Sequence, residues 1–103
     1  MTINELAALV LEQARAELAR KGYHSQASSE KVRIIPGPKY TKIDRGPEHN
    51  MSGMLMIENA TGCIYGIKGY GKVHKGHCYG TLATAGAWFW GEYYPRRRTA
   101  EDA

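Results

Sequence analysis

The residues most able to do chemistry in this sequence are two histidines and two cysteines. His74, His77 and Cys78 lie within five residues of one another, and Cys63 lies upstream. Imidazole and thiolate groups are the ligands that zinc prefers, and four of them can make a tetrahedral site. The spacing matches no standard structural zinc site, and Gly76 interrupts a regular strand there. We therefore expect no bound metal or other cofactor, with Cys63, His74, His77 and Cys78 as the set that could hold one.

The same two histidines could act as a general acid and a general base near neutral pH. An active site also needs a second reacting group at a matched position. Asp44, Glu58 and Cys78 are available, but no spacing connects them to His74 or His77. A small histidine-dependent or metal-assisted hydrolase is therefore the least favoured function, and we expect a binding module rather than an enzyme.

Positive side chains and aromatic rings alternate through the second half of the chain. Cations neutralise phosphates and exposed rings stack on bases, so this mixture is typical of surfaces that bind single-stranded nucleic acid. Tyr70 and Tyr79 lie in a stretch rich in glycine, which favours surface positions, whereas Tyr65 alternates with Cys63 and Ile67 and is expected in the core. The residues that we expect to contact a partner are Lys42, Arg45, Lys68, Tyr70, Lys72, Lys75, His77 and Tyr79.

The distribution of charge supports an anionic partner. The formal net charge is +4, and residues 31–98 contain eleven bases but only four acids. Such an excess favours nucleic acid or the acidic face of a protein. Tyrosine, tryptophan and arginine are also the favoured anchors of protein–protein interfaces, so a protein-binding surface is the alternative.

The N-terminal segment is the clearest structural element. The chain has 103 residues, which suits a single domain. Thr2 and Glu5 form a T-x-x-E capping box, apolar residues follow with helical spacing, and Gly22 provides a stop. We predict a helix over residues 1–22, a β-rich body over 31–94 and a charged, frayed tail over 95–103.

The β-rich body contains several short strand patterns separated by glycine and proline. The predicted strands cover residues 32–35, 40–44, 54–58, 63–68 and 79–82, and residues 87–94 form a last strand or an aromatic cap. A linker loop is predicted at 23–30 and a glycine-rich excursion at 69–80. A helix followed by such strands predicts an α+β fold, with the N-terminal helix packed on a small twisted antiparallel sheet or a partly closed barrel.

The sequence has no feature of membrane insertion or export. No apolar stretch approaches 18 residues, and the N-terminus lacks a basic segment followed by an apolar run. We therefore expect a cytoplasmic protein with reduced thiols and no contact with a membrane.

One part of the chain resembles a known group of proteins. The stretches YTKID, TGCIYGIKGYG and HKGHCYGTL are similar to sequences of small uncharacterised proteins of actinobacteria and their phages, over residues 36–94. The N-terminal helix lies outside the resemblance. The resemblance implies an accessory protein of a phage or its host that binds nucleic acid or, as the alternative, acts on a host protein as an inhibitor or adaptor. It carries over no catalytic residue.

Overall fold

The helix that opens the chain, α1 (Ile3–Arg20), forms because its start is capped and one of its faces is apolar. The computed structural model describes residues 1–69 and 72–100. The Thr2 hydroxyl accepts from the Glu5 backbone N–H at 3.1 Å, and the Thr2 N–H donates to the Glu5 carboxylate at 2.8 Å, so the predicted capping box is confirmed. Leu6 and Val10 on the apolar face are fully buried. No helix within the described ranges is long and apolar enough to span a bilayer.

The predicted linker loop at 23–30 is instead largely helical. The helix α2 (His24–Ser29) follows α1 directly. The Ala27 N–H donates to the Tyr23 carbonyl at 2.9 Å, and the Ala27 side chain is buried. The polar composition gave no signal for this helix of six residues. A helix this short is stabilised mainly by tertiary packing, and here one side chain, Ala27, is buried.

The body of the protein is one antiparallel sheet whose strands follow the order of the sequence. Its strands are β1 (Glu30–Ile35), β2 (Tyr40–Pro47), β3 (Ser52–Glu58), β4 (Cys63–Lys68) and β5 (Lys72–Thr81). The expected α+β fold is confirmed, and the sheet is not closed into a barrel. β1 and β5 therefore lie at opposite edges, about 19 Å apart at the usual spacing of neighbouring strands.

The core lies between α1 and one face of the sheet. Ile43, Leu55 and Ile64 lie on that face and are fully buried, as cross-strand register and alternation require. They pack in one cluster with Leu6 and Val10 of α1. The opposite sheet face carries the residues that alternate with this set.

The C-terminal segment differs from the predicted strand over 87–94, which had an aromatic cap as its alternative, and from the predicted frayed tail. A short 3₁₀ helix (Leu82–Ala87) leads into β6 (Trp88–Phe89), which pairs with β7 (Arg96–Arg97). Trp90 is fully buried, and its backbone N–H donates to the Gln13 side chain at 2.7 Å. Guanidinium groups of β7 lie over rings of β6, with Arg97 4.7 Å from the Trp88 ring centre. These contacts hold the start of the predicted tail in a hairpin.

The strand β5 is irregular, and it covers a region that was predicted as a glycine-rich excursion at 69–80 followed by a strand at 79–82. Tyr65 of β4 is opposite Cys78, while the next residue, Gly66, is opposite His74. Lys75, Gly76 and His77 are therefore extra residues on β5, with no partner on β4. Such a bulge turns side chains out of the regular alternation and is common at sheet edges next to functional sites.

Candidate nucleic-acid interface

Three lysines lie on the β4–β5 hairpin and in its bulge. Lys68 and Lys72 are directly opposite each other at the end of the two strands, and both are exposed. Lys75 is exposed in the bulge. Like charges opposite each other on paired strands are destabilising. An anionic ligand bound between these side chains would remove that repulsion.

The lysines lie in a part of the chain that has no acidic residue. Residues 59–91 contain no aspartate or glutamate. None of the ion pairs within residues 1–69 and 72–100 involves Lys68, Lys72 or Lys75. The hairpin therefore presents a concentrated positive charge, which attracts anions by long-range electrostatics.

The bulge brings two histidines together beside the lysines. The ring centres of His74 and His77 are 4.2 Å apart, with an angle of 71° between the rings. His77 fits against β4 because Gly66 has no side chain: a Cβ there would lie 3.2 Å from the His77 Cβ. His77 is exposed, and His74 is half-buried.

An exposed tyrosine from the C-terminal segment completes this surface. Tyr94 is 74% exposed, the largest value among the exposed large apolar side chains of the described chain. Its ring lies edge-on to His77, with centres 6.2 Å apart. A ring held at one edge and free on a face can stack on an unpaired base.

Two depressions flank the contact between His77 and Tyr94. A cavity of about 70 Å³ lies on the side of β4, and Gly53, Gly66 and Ile67 are among its lining residues. A wider groove of about 410 Å³ runs past Gly76 and Pro95. Both are lined by His77, Tyr79 and Tyr94. The surface therefore offers room for a planar group next to the lysine-rich hairpin.

Tyr79 was predicted to be exposed because it lies in a glycine-rich stretch, and this prediction is wrong. Its ring is buried beneath the surface formed by His77 and Tyr94. It is only 7% exposed, and its ring contacts Trp88 and Trp90 edge-on at 5.3 Å and 6.1 Å. Burial raises the pKa of Tyr79, and the nearby Tyr94 raises it further. Tyr79 therefore keeps its hydroxyl proton and acts as the floor of the depressions.

Arg45 was predicted as a partner contact, but the structure buries it between β1, β2 and the C-terminal segment. It is 4% exposed and donates to the Glu30 carboxylate at 2.7 Å and to the Gly91 carbonyl at 3.0 Å. Its guanidinium lies 4.3 Å from the centre of the Tyr93 ring. With its charge matched by Glu30, Arg45 holds the C-terminal segment in place and is not available to a phosphate.

The remaining predicted contacts are separated from the hairpin or lie outside the described residues. Lys42 is half-buried on the sheet face opposite α1, where it is opposite Met56 of β3. It lies two strands from β4, so it does not belong to the lysine cluster. Tyr70 falls in the part of the chain that the structure does not describe.

The possible metal ligands do not converge. Cys63 and Cys78 are free thiols on β4 and β5, with Cys78 opposite Tyr65 and Cys63 two residues before it. The neighbouring Cys63 side chain raises the pKa of Tyr65. Within residues 1–69 and 72–100 no three histidine, cysteine, aspartate or glutamate side chains are placed to hold an ion. The set Cys63, His74, His77 and Cys78 is therefore not a metal site among these residues.

Sequence reasoning missed Tyr94, because it joins His77 from a distant part of the chain. The available signal was its place in the aromatic stretch that precedes the three arginines. Comparison of the chain with protein-family models, curated proteins and solved structures found no match. The resemblance to small actinobacterial and phage proteins accordingly stays a prediction.

Proposed function

We propose that this protein is a binding module for single-stranded nucleic acid and that the β4–β5 hairpin is its contact surface. The observation that carries the proposal is the cluster of Lys68, Lys72 and Lys75 beside the exposed Tyr94, in a stretch without acids. Phosphates bind lysine side chains by charge, and counterion release adds to the free energy of binding.

The aromatic groups favour a single strand over a duplex. Tyr94 and His77 line the groove and the cavity, where a planar base could enter and stack. Bases in a duplex are already stacked on each other, so they are not available to such rings. Lysine contacts alone would bind both forms, and the rings provide the preference.

The proposal can be tested by fluorescence anisotropy with a labelled oligothymidylate strand at several KCl concentrations. Binding should weaken with salt, and the slope of log K against log salt should be roughly 0.7 per phosphate contacted. Lys68→Ala combined with Lys72→Ala should reduce this slope by about 1.4, because two contacts are lost. A duplex of the same length should bind more weakly.

The matched control removes the same charge elsewhere. Lys31 lies on β1 at the opposite edge, and Lys39 precedes β2; both are exposed. Lys31→Ala combined with Lys39→Ala should leave the slope nearly unchanged. Equal losses in the two double variants would show that net charge rather than the hairpin drives binding. No binding at low salt, or binding that is independent of salt, would reject the proposal.

A protein partner is the second candidate, and one observation favours it. A row of side chains crosses the sheet face opposite α1, with Ile35, Lys42, Met56, Tyr65 and Cys78 in successive cross-strand positions. Apolar and aromatic groups around a cation are typical of protein interfaces. Co-purification of one stoichiometric protein that survives nuclease treatment, and is lost with Tyr65→Asp, would support this function.

A further inference from the structure

We propose that the protein also cleaves the RNA strands that it binds, with His74 and His77 as the acid–base pair. This inference rests on the proposed binding function, because the histidines must be brought to a phosphodiester group by the lysines around them. It assigns an activity to two side chains, of which the binding function uses only the His77 ring, as a stacking surface.

The geometry of the two rings carries the inference. Their centres are 4.2 Å apart, and the bulge presents His77 to solvent. Two imidazoles at this separation can both contact oxygen atoms of one phosphodiester group, which general acid–base catalysis requires. The regular β-strand alternation would not give this arrangement, because residues three apart on a strand point to opposite faces.

The His74 ring has a buried nitrogen atom, Nδ1, without a hydrogen-bond partner among the described residues, which lowers the stability of the fold. Buried polar atoms without partners are rare in folded proteins, and a catalytic role is one explanation for them. The Gly76 backbone packs on the His74 ring, with the Cβ position at Gly76 3.3 Å from its Cε1 atom.

The surrounding charge suits a reaction at phosphate. Lys72 and Lys75 flank His74 in the sequence, and Lys68 is opposite Lys72. In the transition state of RNA cleavage, negative charge increases on the phosphate oxygens. Fixed cations beside those oxygens stabilise this charge. No acidic residue lies within residues 59–91 to offset them.

The proposed step is an internal transesterification. One imidazole, in its neutral form, takes the proton of a ribose 2′-hydroxyl, and the 2′ oxygen forms a bond to the adjacent phosphorus. The bond from phosphorus to the 5′ oxygen breaks, and the other imidazole, protonated, gives its proton to that oxygen. The products are a 2′,3′-cyclic phosphate and a free 5′-hydroxyl, and the two imidazoles have exchanged protonation states.

The experiment compares three labelled strands of one sequence: RNA, DNA and RNA with 2′-O-methyl groups. Each is incubated with the purified protein, and both strand length and anisotropy are measured. All three strands should bind. Only the RNA should be cut, leaving cyclic phosphate ends, because the other two lack a free 2′-hydroxyl.

Variants connect the cleavage to the two rings. His77→Gln and His74→Gln should each reduce the cleavage rate by about 10²–10⁴-fold, the usual effect of losing a general acid or base. Affinity for the DNA strand should be nearly unchanged in His74→Gln, and in His77→Gln, whose ring also lines the groove, it should fall by far less than the cleavage rate. His24→Gln combined with His49→Gln is the matched control, because both residues are exposed and far along the chain from the bulge. His77→Gly should recover part of the activity when free imidazole is added.

The outcomes separate this inference from the binding function. RNA that binds and stays intact would reject cleavage and leave the binding function standing. Cleavage that is equal in wild type and His77→Gln would assign the activity to a contaminant and also reject the inference. Absence of binding by all three strands would reject the binding function and the cleavage with it.

Discussion

Two basic regions, one at Arg45 of β2 and the other on the hairpin of β4 and β5, use their charges in different ways. Near β1 and β2, Arg45 is buried against Glu30, the Gly91 carbonyl and the Tyr93 ring. On β4 and β5, Lys68 and Lys72 are exposed, opposite each other and distant in sequence from any acid. In the first region the positive charge is matched by an acid of the same chain. In the second region two like charges lie opposite each other, and a bound anion would reduce their repulsion.

The comparison shows that a basic residue in a sequence indicates a partner only when its charge is left unmatched in the fold. Arg45 has a matching acid, and its hydrogen bonds hold the segment that carries Tyr94. Lys68 and Lys72 have an electrostatic cost that persists in the free protein. The expected effects of substitution differ accordingly.

The largest expected effect is on stability at the first region. Arg45→Ala should lower the free energy of unfolding by about 3–5 kcal/mol, because it leaves the Glu30 carboxylate buried without its partner. Urea denaturation measures this change. Lys72→Ala is the control and should stay within about 0.5 kcal/mol of wild type. A loss at Arg45 no larger than that at Lys72 would contradict the assignment of Arg45 to the folded interior.

The next effect is on binding at the second region. Tyr94→Ala should weaken the binding of a single-stranded DNA by about 1–3 kcal/mol, because one stacked base loses its platform. Since Tyr94 is 74% exposed, the unfolding free energy should change little. Tyr23→Ala removes another exposed ring, 53% exposed beside α2, and should leave affinity unchanged. Similar losses in both variants would remove Tyr94 from the interface.

The smallest effect separates stability from binding in one substitution. Lys68→Glu replaces a like-charged cross-strand pair by an opposite-charged pair, which should raise the free energy of unfolding by about 0.2–1 kcal/mol. The same change should weaken DNA binding, since it puts a carboxylate where a phosphate would lie. Thermal melting and anisotropy on the same samples give both values. A variant that is less stable yet binds equally well would show that the repulsion between Lys68 and Lys72 has no functional meaning.

Much of the fold follows from local sequence signals. The Thr2–Glu5 capping box, the apolar face of α1 and the short strand patterns all predict elements that the structure contains. Each depends on residues close in sequence, where side-chain periodicity and turn chemistry decide the outcome. The predictions for residues 23–30 and for the end of the chain were wrong. The conformation of each segment depends on the tertiary contacts of one buried side chain, Ala27 in the first and Trp90 in the second.

The candidate site was harder to predict because it depends on pairing between distant residues. Lysines on one hairpin could be recognised from their spacing, but Arg45 could not be excluded without knowing that Glu30 is its partner, 15 residues away. The bulge on β5 brings His74 and His77 together. It arises from a shift in strand register that the residue types in this segment do not predict. Tyr79 was assigned to the surface from its glycines, although Trp88 and Trp90 cover it.

The sequential order of the five strands has a consequence for how the site assembles. Neighbouring strands are joined by short turns, so hairpins can form with little loss of loop entropy, which favours fast folding. The segment that carries Tyr94 is different, because its hydrogen bond from Trp90 to Gln13 joins residues 77 positions apart. The hairpin of β4 and β5 can therefore form before the chain is fully folded. Tyr94 reaches its position beside the hairpin only after the C-terminal segment has packed against α1.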